Sequence, residues 1–98
     1  ILSKKIVNFY KGKILNIHPS LLPKYKGLNT HKRVLKNKEK FTGCTVHLVN
    51  RKLDSGKIIL QKKIKVLKKD NSNSLEKKIL TLEHELYPKA ITKVLSSF

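Results

Sequence analysis

The 98-residue chain contains no Met and no Trp, and it has one Cys, four Gly and three Pro. A single Cys excludes an internal disulfide framework and a zinc site built from several thiolates, which fits a reducing compartment. No apolar run approaches the roughly 20 residues that a membrane-spanning helix needs. Because Lys4 and Lys5 interrupt the apolar start, no signal peptide is predicted either. A chain of this length forms at most one small domain. The missing Met indicates that the chain was processed or belongs to a longer protein.

Acidic residues are also scarce, with 6 Asp and Glu against 23 Lys and Arg and a net charge of +17. All the basic residues except Arg33 and Arg51 are lysines, which never run more than two together. Nucleic-acid recognition favours Arg, and binding tails favour blocks of like charge. We therefore interpret the charge as a Lys-coated surface. The alternative is a small basic nucleic-acid-binding module, which would concentrate its lysines on one face.

The apolar pattern predicts an α/β protein without the repeated βαβ units of a complete doubly wound sheet. The expected elements are a helix from Lys4 to about Tyr10, strands over 13–18, 42–50 and 57–66, a helix from Asn29 to about Asn37, and a last helix from Asn73. The last two strands are expected to form an antiparallel hairpin. In the last helix, Asn73 and Glu76 resemble a capping box, and Pro88 should kink or interrupt the helix. Its apolar stripe consists of Leu75, Ile79, Leu82 and Leu86.

The most specific local feature is Asn16-Ile17-His18-Pro19, at the end of the first predicted strand. Residues two apart in a strand point to the same face, so an amide and an imidazole lie side by side. Two such donors can stabilise a developing oxyanion. The simpler interpretation, a capped strand end with a hydrogen-bonded His, stays open.

A second feature is Leu53-Asp54-Ser55-Gly56, which by itself is an ordinary turn. If Asp54 approaches His18, its carboxylate would favour the protonated imidazole and orient the ring. Asn, His and Asp would then suit acyl or formyl transfer without a covalent enzyme intermediate. Thr45 and His47 share one strand face, and Cys44 lies on the other. His47 is expected to be structural or to line a pocket.

Other kinds of site have no signal in the sequence. His31 and His84 show no metal-ligand spacing, so no metal is predicted. The glycines are isolated, so no Gly-rich phosphate loop is present.

Several segments together resemble the C-terminal half of the phosphoribosylglycinamide formyltransferases. The matching segments are NIHPSLLPKY at 16–25, GLNTH at 27–31, TGCTVH at 42–47, LDSG at 53–56 with ILQ at 59–61, and EHELYP at 83–88. The resemblance implies transfer of a formyl group from 10-formyltetrahydrofolate to the amine of glycinamide ribonucleotide in purine biosynthesis. It also implies the second half of a Rossmann-like fold, with a mixed sheet, a late antiparallel strand pair and a long C-terminal helix.

The resemblance further implies a role for individual residues. Asn16, His18 and Asp54 match the catalytic trio, while Pro19 and Glu83 match contacts to the substrate, with Glu83 on the ribose hydroxyls. Thr45 and His47 would support the site. The folate pocket would involve Ile1, Leu2, Val7, Ile14, Leu53 and Asp54.

The sequence departs from the family pattern in three places and in length. Thr45 stands where the family commonly has Ser, Lys26 where it has Pro, and Asn29 where it has His. Residues 1–98 would form the C-terminal part of one formyltransferase domain, partnered by a missing N-terminal half that grips the substrate phosphate. The chain alone is therefore expected to lack turnover. A cytoplasmic enzyme is expected, with methionyl-tRNA formyltransferase as the enzymatic alternative.

Overall fold

The structure, a computed structural model, describes residues 7–8, 14–49 and 56–96. In chain order the elements are β1 (Val7–Asn8), β2 (Ile14–His18), α1 (Thr30–Lys36), β3 (Phe41–Leu48), β4 (Ile58–Lys65) and α2 (Ser72–Leu95). The strands form one sheet in the order β1-β2-β3-β4. This arrangement confirms the predicted α/β class and the long C-terminal helix.

The described strands pair antiparallel throughout, including the predicted pair β3–β4. Asn16 lies opposite His47 and His18 lies opposite Thr45 across β2 and β3. The β3–β4 register shifts between Val46 and His47, which is a bulge beside the polar residues of β3. Bulges increase the local twist and often occur next to active sites.

One face of the sheet packs on α2 and forms the apolar core. Leu15, Ile17, Cys44 and Val46 of the two central strands have no solvent exposure. Period-2 alternation places these four on the same face. The predicted helical stripe is confirmed, since Leu75, Ile79, Leu82 and Leu86 are all buried. The other face of β2 and β3 therefore carries the remaining residues of both strands.

The start of α2 differs from the prediction, which placed the cap at Asn73. Asn71 is the N-cap: its side chain accepts a hydrogen bond from the Ser74 N–H, and the Ser74 hydroxyl accepts one from the Asn71 N–H. Ser74 therefore fills the capping-box position expected of Glu76. Either Asn can cap a helix, but only Asn71 has Asp70 beside it to accept from Ser74.

Pro88 lies inside α2, and the helix continues through it to Leu95 without the expected interruption. Proline removes the hydrogen bond to the carbonyl four residues earlier. Here that carbonyl belongs to the exposed residue His84, where water can replace the lost donor. Ala90 and Val94 are buried in the core beyond Pro88 and hold the last turns in place.

Residues Val7 and Asn8 form a strand against Leu15 and Ile14, so the predicted helix over 4–10 is wrong for them. Pairing satisfies backbone groups on the edge of β2 that would otherwise lack partners. The other residues of that predicted helix lie outside the described part of the chain. Within the described residues, no helix is long and apolar enough to cross a bilayer.

Candidate functional site

Four polar side chains lie together on the face of the sheet opposite α2. Asn16 and His18 face the same way as their cross-strand partners His47 and Thr45. Asn16 is 6% exposed, His18 1%, Thr45 0% and His47 2%. Polar side chains are seldom buried in a sheet face whose role is only structural, and a cluster of them is typical of a functional site. We call these four residues the polar face.

The His18 ring is fixed by a backbone carbonyl. Its Nε2 lies 2.8 Å from the carbonyl oxygen of Tyr25. A carbonyl only accepts, so Nε2 carries the hydrogen and donates it. The other ring nitrogen, Nδ1, then carries a hydrogen only in the imidazolium form. The contact therefore fixes which nitrogen of a neutral ring carries the hydrogen.

Asn16 contributes an amide at the same strand end. Its Oδ1 is buried and has no hydrogen-bond partner among the residues that the structure describes. Buried amide oxygens normally have one. This oxygen can therefore accept a hydrogen bond from a bound molecule.

Thr45 anchors the segment 19–28, which we call the site loop, against the polar face. Its hydroxyl donates to the Ser20 carbonyl at 2.7 Å and accepts from the Leu22 N–H at 3.1 Å. The Gln61 amide donates both to the same hydroxyl and to the Leu22 carbonyl. Because this hydroxyl is occupied by the loop, Thr45 acts here as a support rather than as a reacting group.

Two histidines besides His18 are relevant here: His47, which is part of the polar face, and His31 on α1. His47 Nδ1 donates to the carbonyl of Leu48 at 3.1 Å, which sets its tautomer. Burial lowers the pKa of His31 on α1, Glu76 opposes this effect, and His18 adds to the lowering. The charge of His18 therefore acts on His31, which places the two rings near each other.

Cys44 does not belong to the polar face. It is fully buried in the core, where desolvation and then the negative charge of Glu83 raise its thiol pKa to about 12. The thiolate required for nucleophilic catalysis is therefore inaccessible near neutral pH.

The remaining predicted site residues are distributed unevenly. Pro19 follows His18 directly, whereas Glu83 lies in the buried stripe of α2 beside Cys44, on the opposite side of the sheet from Asn16 and His18. Val7 and Ile14 lie on paired strands β1 and β2. Ile1, Leu2, Leu53 and Asp54 lie outside the described residues. Within the described part of the chain, no group of three His, Cys, Asp or Glu side chains could hold a metal ion.

Sequence reasoning assigned no functional role to three residues that build the site. Tyr25 contacts His18 through its backbone carbonyl, which every residue has, so this contact leaves no signal in the sequence. Ser20 likewise accepts the Thr45 hydrogen bond through its carbonyl. Gln61 acts through its side chain, but its position opposite Thr45 follows from the β3–β4 register, which the sequence did not predict.

The fold and the polar face define an α/β protein with a paired amide and imidazole at the end of a sheet strand. Residues 1–91 match the family described as formyl transferase. The chain therefore belongs to the formyl transferase family. This confirms the family expected from the sequence motifs.

Named relatives in this family are similar to almost the whole chain. It is 46% identical over 92 residues to a phosphoribosylglycinamide formyltransferase of Escherichia coli, covering 94% of this chain and 43% of that protein. It is 45% identical over 98 residues to the trifunctional purine biosynthetic protein adenosine-3 of Chironomus tentans, covering 100% of this chain and 7% of that protein. The chain thus spans less than half the length of each of these relatives.

Solved structures give the same result for the fold. The phosphoribosylglycinamide formyltransferase of Bacillus halodurans superposes with a TM-score of 0.79 at 40% identity, over 84% of this chain and 42% of that one. That of Brucella melitensis gives 0.77 at 49% identity, over 82% of this chain and 41% of that one.

Proposed function

We propose that these 98 residues supply the catalytic part of a phosphoribosylglycinamide formyltransferase domain. The reaction would move a formyl group from 10-formyltetrahydrofolate to the primary amine of glycinamide ribonucleotide. The observation that carries the proposal is the placement of Asn16 and His18, buried side by side on the polar face. The names of the similar proteins support the choice of substrates.

In the proposed reaction the amine nitrogen attacks the formyl carbon, and the carbonyl oxygen becomes an oxyanion. The Asn16 amide and protonated His18 would donate hydrogen bonds to that oxyanion. The bond from the formyl carbon to the folate nitrogen then breaks, and the proton lost by the attacking amine passes to the leaving nitrogen. Asp54 would keep His18 protonated and assist this proton transfer through water.

Binding of the two substrates is part of the same proposal. Ile1, Leu2, Val7, Ile14, Leu53 and Asp54 would contact the folate. Pro19 would contact the ribonucleotide. A carboxylate that accepts from two ribose hydroxyls suits the role proposed for Glu83. Glu83 lies on the Cys44 side of the sheet, opposite to Asn16 and His18.

The substrate phosphate would be held by residues beyond these 98, since no Gly-rich phosphate loop occurs in this sequence. A cytoplasmic location is also part of this proposal, because the free folate and nucleotide substrates occur in the cytoplasm.

The test is formyl transfer by a full-length protein carrying this chain, measured as product formed from the two proposed substrates. Replacing Asn16 with Ala removes one oxyanion donor and is expected to lower kcat by about 10²–10³-fold. His18→Ala is expected to lower kcat by at least as much, because the ring also holds the site loop.

His84→Ala serves as the matched control, since His84 is exposed on α2. Its turnover should equal that of the unaltered protein. Retained activity in the His18→Ala protein would remove this imidazole from the mechanism.

A further inference from the structure

The carbonyl that fixes His18 belongs to a residue in an unfavourable backbone conformation. Tyr25 has a φ of 58°, in the left-handed region that residues other than Gly rarely adopt. Such residues persist where the surroundings hold them in place. The contacts that hold Tyr25 are therefore also contacts that hold the His18 ring.

The phenol of Tyr25 is bound at its far end by the segment between α1 and β3. Its hydroxyl donates to Glu39 Oε2 at 2.6 Å and accepts from the Asn37 amide at 3.1 Å. The Arg33 guanidinium lies 5.5 Å from the centre of the phenol ring, within the range of a cation–π contact. The side chain is thus bound at its hydroxyl and at its ring face.

The bond between Tyr25 and Glu39 is stronger than an ordinary neutral one. A hydroxyl bonded to a carboxylate is charge-assisted, and a separation of 2.6 Å is typical of that class. It is the largest contribution both to the raised pKa of Tyr25 and to the lowered pKa of Glu39. The Lys24 ammonium lies farther away, 3.4 Å from the same carboxylate, and is largely exposed.

We propose that Glu39 is a positioning residue, which acts through Tyr25 to hold the His18 imidazole in the orientation in which its Nε2–H donates to the Tyr25 carbonyl. Glu39 fixes the phenol, the phenol fixes the left-handed backbone of Tyr25, and the Tyr25 carbonyl fixes Nε2–H of His18. The contribution of these contacts to catalysis rests on the formyl transfer proposed above. The contacts themselves are measurable without any turnover.

The first measurement needs no variant. In the full-length protein with ¹⁵N-labelled histidine, nitrogen–proton correlation spectra at neutral pH report which ring nitrogen of His18 carries the hydrogen. We expect a single state with Nε2 protonated and its proton slow to exchange with water. An Nε2 without a hydrogen, or a rapidly exchanging one, overturns the proposal.

Two variants at position 39 then form a matched pair. Glu39→Leu and Glu39→Gln both remove the charge and the ion pair with Lys24, but only Gln keeps an oxygen that can accept from the phenol. We expect Glu39→Leu to give a mixture of His18 tautomers and an Nε2 proton that exchanges at least tenfold faster. Glu39→Gln should stay close to the unaltered protein.

Tyr25→Phe tests the same contacts from the other side, because it keeps the ring and the backbone and removes only the hydroxyl. It should reproduce the Glu39→Leu spectra. In the formyl-transfer assay, both should lower kcat about tenfold with little change in KM, since misplacing a catalytic group affects turnover more than binding.

The possible failures are distinguishable. If the unaltered protein transfers no formyl group, the proposed function fails, yet the spectra still test the positioning role. If His18 gives the same signals in Glu39→Leu as in Glu39→Gln, Glu39 has no positioning role, whatever the activity. A loss of thermal stability without a change in the His18 spectra likewise contradicts the proposal.

Discussion

At the scale of single residues, the Asp70 carboxylate ties the end of β4 to the start of α2. Its Oδ2 accepts from the Leu67 N–H at 2.8 Å and from the Lys78 ammonium at 2.9 Å, and its Oδ1 accepts from the Ser74 hydroxyl at 2.8 Å. The Leu67 N–H, followed by Lys78, lowers the pKa of Asp70 to about 2. The charged form is therefore strongly favoured in the folded protein.

This lowered pKa predicts a specific pH dependence of stability. Because the folded-state pKa lies below the unfolded value near 4, Asp70 stabilises the protein fully above about pH 4, and its contribution is lost as the pH falls toward 2. Asp70→Asn should lower the free energy of unfolding at pH 7 by about 1–2 kcal/mol. Denaturant unfolding at several pH values measures both effects.

The matched control for this prediction is Glu85→Gln, which makes the same charge change at an exposed position on α2. Surface substitutions of this kind change stability little. If Asp70→Asn and Glu85→Gln show the same loss of stability between pH 4 and pH 2, the role assigned to Asp70 is wrong.

Residue-level chemistry is predictable where it depends on spacing alone. Asn16 and His18 are two residues apart, so alternation along a strand is enough to place them on one face. Tyr25 and Glu39 were not predictable, because their contact joins a loop to a segment 14 residues away. The backbone carbonyl by which Tyr25 acts leaves no trace in the sequence.

At the scale of elements, residues of β3 alternate between the polar face and the apolar core. Gly43 lets β3 pack closely against β4 and the site loop. A Cβ at this position would overlap the backbone carbonyl of Lys62 on β4 and lie 2.8 Å from Leu21 Cδ2 of the site loop. Neither the sheet nor the loop could then keep its present distance from β3.

Gly43→Ala is therefore expected to destabilise the protein by about 2 kcal/mol, in the range of overpacked cores. Thermal or denaturant unfolding measures the change. Combining it with Leu21→Ala should not restore stability, because the obstacle on β4 is backbone and cannot rotate away. A Gly43→Ala protein as stable as the parent would contradict this view of the β3–β4 contact.

The elements themselves were largely predictable, but their ends and pairings were not. Hydrophobic spacing indicated β2, β3, β4 and α2, because alternation and helical periodicity are set by local geometry. The choice of Asn71 over Asn73 as the cap depended on Asp70 and Ser74 meeting in space. The pairing of β2 with β3, which completes the polar face, depends on tertiary contacts that a single sequence does not encode locally.

At the scale of the whole molecule, exposed lysines lie on both sides of the sheet and on both helices. Lys62 and Lys63 are adjacent on β4 and point to opposite sides of the sheet, and Lys32 and Lys77 are exposed on the two helices. A nucleic-acid-binding module would collect its charge on one surface. This distribution favours the interpretation of the +17 charge as surface composition.

A second question at the scale of the whole molecule is whether these 98 residues can transfer a formyl group without further residues. They carry Asn16, His18 and Asp54, but under the proposed function they lack the loop that grips the substrate phosphate. We therefore expect residues 1–98 alone to give no measurable formyl transfer, at least about 10³-fold below a full-length protein carrying them, because remote binding energy is needed for turnover. The two proteins are compared in the same assay at saturating 10-formyltetrahydrofolate, with the His18→Ala full-length protein as the low-activity reference. Turnover by residues 1–98 above that reference would show that the phosphate grip is dispensable.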